Sequence, residues 1–137
     1  MSALKAVLRV RSLLERRALA EHAIAEREAA AARATVELAR AARSAHRPDS
    51  GSMTTAGLAG ARAGAMALHD DVLRADQQEL ATGREAELAG QRRVEAAIAR
   101  RSVERLDERR TTAAAIAAAQ RVERQLDDLA IDRWRRA

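Results

Sequence analysis

Between residues 3 and 46 the chain contains neither glycine nor proline, and between 70 and 135 it contains only Gly83 and Gly90. Both stretches are dominated by alanine, arginine, glutamate and leucine, the residues with the highest helix propensity. The placing of the breakers therefore predicts a helix over 3–46 and a long helix over 70–135. At 1.5 Å per residue these would measure roughly 65 and 100 Å. Helices that long cannot wrap a globular core; they must pair along their length.

The obvious break is the segment RPDSGSMTTAG, which holds the only proline, Pro48, and the first glycine, Gly51. The residue before a proline avoids the helical region, so the first helix should end near His46. Asp49, Ser50, Ser52, Thr54 and Thr55 are turn formers, and the last three are candidate N-caps for the next helix. The turn or linker is placed at 47–55. Residues 56–69 read as a weak helix or a linker. Gly57, Gly60 and Gly64 would share one helical face there, as at a close helix–helix approach, but three glycines weaken helix propensity by about 3 kcal/mol.

One short connection between two long helices favours an antiparallel arrangement. The expected fold is all-α: a single domain over 1–137, built as a long antiparallel two-helix coiled-coil hairpin with an overhanging C-terminal helix. With a turn near residue 50, residue n would face residue 100 minus n. The first helix then runs out near residue 97, and about 40 residues project beyond it as a single helix, which is marginal in isolation.

The pairing stripe of the first helix follows a heptad. Val10, Arg17, Ile24, Ala31, Leu38 and Ala45 fall seven apart, and Leu13, Ala20, Arg27, Ala34 and Ala41 fall three later. That is an a/d seam built largely of alanine. In the second helix Leu73, Leu80, Glu87, Val94 and Arg101 form a poorer column. It then drifts through Val103, Leu106, Arg110, Ala113 and Ala117 to Val122, Leu126 and Leu129, which is not a strict heptad.

Composition narrows the function classes. Alanine supplies 36 residues, and Ala, Glu, Lys, Leu and Arg together about 64%, above the roughly 50% that marks long helices and coiled coils. Tyr and Phe are absent and there is one Trp, so no aromatic platform exists for stacking bases. Without cysteine there are no disulfides, zinc ribbons or thiol nucleophiles. No apolar run approaches the roughly 20 residues of a membrane span. Arg9 and Arg11 interrupt any signal-peptide core, and Glu15, Glu21, Glu26 and Glu28 argue against a transit peptide. These features together suggest a cytoplasmic chain.

No catalytic or metal-ligating constellation emerges. His22, His46 and His69 lack metal-ligand spacing. Asp70–Asp71 and Asp127–Asp128 are adjacent on a helix and diverge by about 100°, so neither forms a dyad. Lys5 is the only lysine, so there is no Walker lysine, and an enzyme, a metal and a cofactor are not expected. The 24 arginines invite a nucleic-acid reading. They are interleaved with acids, however, as in Arg101–Glu104 and Arg105–Glu108, which reads as a self-paired solvated face. Nucleic acid is therefore not expected as a partner. Charge is polarised along the chain: net +5 over 1–47, −4 over 48–90 and +4 over 91–137. Arginine is enriched in protein–protein hot spots. Trp134 reads either as a partner anchor or as a cap on the apolar stripe with Ile131.

Two blocks carry a resemblance. Val103-Glu104-Arg105-Leu106-Asp107-Glu108-Arg109-Arg110 is followed by Arg121-Val122-Glu123-Arg124-Gln125-Leu126-Asp127-Asp128-Leu129-Ala130. This is similar to the C-terminal half of the FliJ family, a component of the bacterial flagellar type III export apparatus, with Asp128 in place of the usual glutamate. The opening Leu4 to Arg11 also resembles the family's start, and the matched blocks cover roughly a quarter of the chain. The resemblance implies a non-enzymatic protein-export factor like the central stalk of a rotary ATPase. Its partners would be the flagellar export ATPase, the membrane protein of the export gate and the export chaperones that it escorts or recycles. It would sit in the cytoplasm, peripheral at the inner membrane beneath the flagellum. On that reading Lys5, Arg9, Arg11, Arg105, Arg109 and Arg110 are the candidate ATPase contacts, since a basic end suits acidic pore loops. Leu38, Leu58, Met66 and Leu68 are the candidate gate contacts, although the family carries aromatic residues in that region and this chain has none there. The competing readings are a scaffold or stalk of another secretion or cell-division assembly, and a helix protein that associates with lipid or nucleic acid.

Overall fold

The computed structural model describes residues 3–47 and 54–136. Every element in it is helical: α1 spans Ala3–Ala45 and α2 spans Thr55–Arg136. The end of α1 falls one residue before the expected position. The His46 amide still donates to the Ala42 and Arg43 carbonyls at 3.1 and 3.4 Å, and Arg47 Nη1 donates to the Ser44 carbonyl at 2.8 Å. Orphaned carbonyls at the last turn are thereby satisfied. The expected turn formers Pro48, Asp49, Ser50 and Ser52 lie outside the described residues.

The start of α2 differs from the expected linker. Thr54 is the N-cap: its Oγ1 accepts the Gly57 amide at 3.1 Å, while its carbonyl accepts the Leu58 amide at 3.0 Å. From that cap the helix runs through Gly57, Gly60 and Gly64 without a positive φ. A single capped helix needs one nucleation event, so the glycines weaken α2 without breaking it. Replacing Thr54 by alanine should cost about 1 kcal/mol, seen as faster amide exchange over 55–60. Gly60 and Gly83 have open space where a Cβ would stand. Changing both to alanine should raise stability by about 1 kcal/mol each, measured in denaturant titration.

The chain divides into two units, Met1–Glu15 with Ala96–Ala137, and Arg16–Glu95. In the second unit, the covered residues of α1 include Ala18, His22, Ala25, Ala29, Ala32, Val36 and Ala39, with His46 just past its end; those of α2 include Ala61, Leu68, Val72, Ala75, Glu79, Thr82, Ala86 and Ala89. The spacing alternates threes and fours, a true heptad on both helices. Its phase, however, differs from the expected one. Val10, Leu13, Ile24 and Leu38 are exposed at 52–72%, and the whole column from Val10 to Ala45 lies on the outer surface of α1. In α2, Leu73, Leu80 and Val94 are likewise exposed. The buried side chains are Ala29, Ala32, Val36, Val72, Ala75, Ala86 and Ala89. Helix separation follows the bulk of the side chains at the contact, and this pair closes on its smallest residues.

The register also departs from the expectation. Gly90 lies against His22, where a Cβ would stand 3.2 Å from His22 Nε2. Arg40 reaches Asp76 at 3.1 Å, and Gly64 lies against His46. His22 thus meets residue 90 rather than 78, and Arg40 meets 76 rather than 60. The cause is the helical start of α2, whose first turns, Thr55–Gly60, are exposed throughout. The three glycines are not one contact face either, since Gly64 approaches His46 while Gly60 approaches nothing.

In the first unit Leu4, Leu8, Ser12 and Glu15 of α1 are half-buried, as are Ala96, Arg100, Val103 and Asp107 of α2. From Glu108 to Arg136 every residue is exposed except the half-buried Ala117. No helix among the described residues is long and apolar enough to cross a membrane.

Candidate functional site

The basic residues singled out in the sequence all belong to the first unit. Lys5, Arg9 and Arg11 stand on the opening turns of α1, and Arg105, Arg109 and Arg110 on α2; all six are exposed. Opposite charges three or four residues apart can pair on a helix, and Arg105 has Glu108 at that distance. The expected self-pairing is nevertheless absent here. Glu104 is engaged by Arg100 Nη1 rather than by Arg101, and no carboxylate lies within ion-pair distance of the six basic groups among the described residues.

Arg100 explains the difference. It is held at the seam with a side chain 28% exposed, and its Nε stands 2.5 Å from Glu15 Oε2. The Nε–H is not aligned for a hydrogen bond to it, so the contact is ionic. One half-buried guanidinium thus uses two carboxylates, Glu15 of α1 and Glu104 of α2. Glu104 is thereby taken from Arg101. A polar group in a coiled-coil seam acts chiefly on register, and Glu15–Arg100 fixes which turn of α1 sits beside which turn of α2 in this unit. Sequence reasoning missed this pair because both residues look like members of a solvated charge run.

The apolar candidates belong to the second unit. Leu38, Leu58 and Met66 are exposed at 72, 57 and 56%. Leu68 is different: it is half-buried in the seam column with Ala61 and Ala75, so it packs the helix pair. Two seam positions are histidines. His22 Nε2 lies 3.4 Å from Glu26 Oε1, and the buried His46 Nε2 has no hydrogen-bond partner. Among the described residues no three His, Cys, Asp or Glu side chains gather as metal ligands do. The hollows of this unit are shallow grooves between the helices, one lined by Glu28, Ala31, Ala32, Thr35, Gln78 and Thr82.

Trp134 is 80% exposed and Ile131 is 49% exposed. The indole therefore caps no stripe within this chain. Beside it Leu129, Asp132, Arg133 and Arg136 line an open hollow. No protein-family model, curated protein or solved structure matches the chain.

Proposed function

We propose that the chain is a non-enzymatic coiled-coil export factor of the FliJ type, which binds a ring-shaped export ATPase and serves the export gate and its chaperones. The supporting observation is the set of six exposed basic groups, Lys5, Arg9, Arg11, Arg105, Arg109 and Arg110, that make no ion pair among the described residues. Exposed arginines without internal partners keep their full donor capacity for acidic loops on a partner. Antiparallel pairing is supported by partners that fall from Gly90 to Asp76 to Gly64 as their counterparts rise from His22 to Arg40 to His46. On this reading the overhang begins at Glu108 rather than near residue 97, supported by a stretch to Arg136 that is exposed apart from the half-buried Ala117, with Leu126, Leu129 and Trp134 exposed to a partner.

Gate contact, on this reading, uses Leu38, Leu58 and Met66, with Leu68 acting only through the helix pair. The place of action is the cytoplasmic face of the inner membrane, reached through partners. Co-elution of the full chain with the purified flagellar export ATPase tests the proposal. A stable complex whose retention weakens with salt supports it; passage of the two proteins as separate peaks at low salt overturns it.

A further inference from the structure

The face of α2 turned away from its seam in the second unit carries larger apolar residues than the seam itself. Met66, Leu73, Leu80 and Val94 fall on one seven-residue column, with Glu87 in the remaining place. Their exposures are 56, 47, 63 and 57%. The column four residues later holds Asp70, Gln77, Arg84 and Gln91, also exposed. Columns spaced three and four apart form a stripe of the kind that pairs helices. The buried residues of the intrachain seam are alanines and two valines, with Leu68 half-buried beside them, while Met66, Leu73 and Leu80 stand on the outside.

We propose that this outer stripe seats a second copy of the chain, antiparallel, about a two-fold axis between residues 85 and 86. The charges decide the occupant and the direction. Arg84 and Glu87 are opposite in sign, three residues apart and both exposed. Neither has an ion-pair partner within the chain among the described residues. A two-fold between them sets each Arg84 against the partner copy's Glu87, twice over. The same axis lays Leu80 over the aliphatic stem of Gln91 and Val94 over that of Gln77. A parallel pair would stack Glu87 on its own copy and Arg84 on its own copy, and like charges so placed oppose association. A self-complementary patch of this kind is what a two-fold dimer requires.

Sedimentation equilibrium of the full chain tests the seat. The wild type should show a concentration-dependent monomer–dimer equilibrium. Leu80→Glu should raise the dissociation constant by at least about tenfold. Arg84→Glu and Glu87→Arg should each weaken the dimer by a similar factor, and the double variant should return to within about threefold of wild type. The double variant keeps the test open if Leu80→Glu impairs folding. A chain that stays monomeric at every concentration overturns the proposal and leaves the stripe to a different protein. So does a dimer indifferent to Leu80→Glu, or a double charge swap no better than either single one.

Discussion

Replacing Val36 by aspartate should melt the helix pair of the second unit, whereas Leu38→Asp, two residues away, should leave it standing. Val36 is 1% exposed between the alanines of the seam, and Leu38 is 72% exposed. A carboxylate at position 36 has no partner to neutralise it, and an uncompensated buried charge costs about 3–5 kcal/mol. Small domains have only about 5–15 kcal/mol of stability in all, and a seam of alanines sits at the low end of that range because each buried methyl contributes about 0.8 kcal/mol. A charge at position 38 stays in water and costs about 0.5 kcal/mol or less. Circular dichroism melts of the two variants decide between the phases. The heptad read from the large apolar residues assigns Leu38 to the seam and gives the opposite order, with Leu38→Asp the damaging change.

The second large effect concerns binding. Reversing Arg105, Arg109 and Arg110 to glutamate should abolish co-elution with the export ATPase while leaving the helical signal intact. All three are exposed and make no ion pair among the described residues, so their removal takes little from the fold. Breaking even one charged contact at an interface costs about 2–5 kcal/mol when the partner charge is left buried. Three reversals also turn attraction into repulsion, so the dissociation constant should rise more than about a thousandfold. Retained co-elution at unchanged affinity would remove these residues from the interface.

Helix content was legible because it rests on local chemistry. Alanine, arginine, glutamate and leucine favour helix wherever they stand, and the end of α1 came within one residue of its observed place. The start of α2 was less legible, because propensity weighs each glycine alone whereas Thr54 caps one helix that carries all three. The seam phase was hidden for a different reason. Burial of Leu38 or Ile24 promises more transfer energy than burial of Ala29 or Ala32, so an eye for bulk picks the outer column. Alanine occupies nearly every column of this chain, and the choice among them depends on how closely the two helices approach.

The candidate site was legible in part. Position and charge marked Lys5, Arg9, Arg11, Arg105, Arg109 and Arg110 as a group, and the structure gathers them in one unit. That they would lack acidic partners was not legible. Intrahelical spacing offers Arg101 a carboxylate in Glu104, yet the geometry gives Glu104 to Arg100, which also reaches Glu15 across the seam. Leu68 shows the converse, since an apolar residue in a glycine-flanked stretch looked free and instead packs beside Ala61 and Ala75.

The central claim is that the exposed basic groups serve a flagellar export machine. Tagging the protein in its native host and identifying co-purifying proteins by mass spectrometry tests it most directly. Recovery of the flagellar export ATPase or the export gate is the predicted result. Their absence, with the components of another secretion or division machine recovered instead, would contradict it.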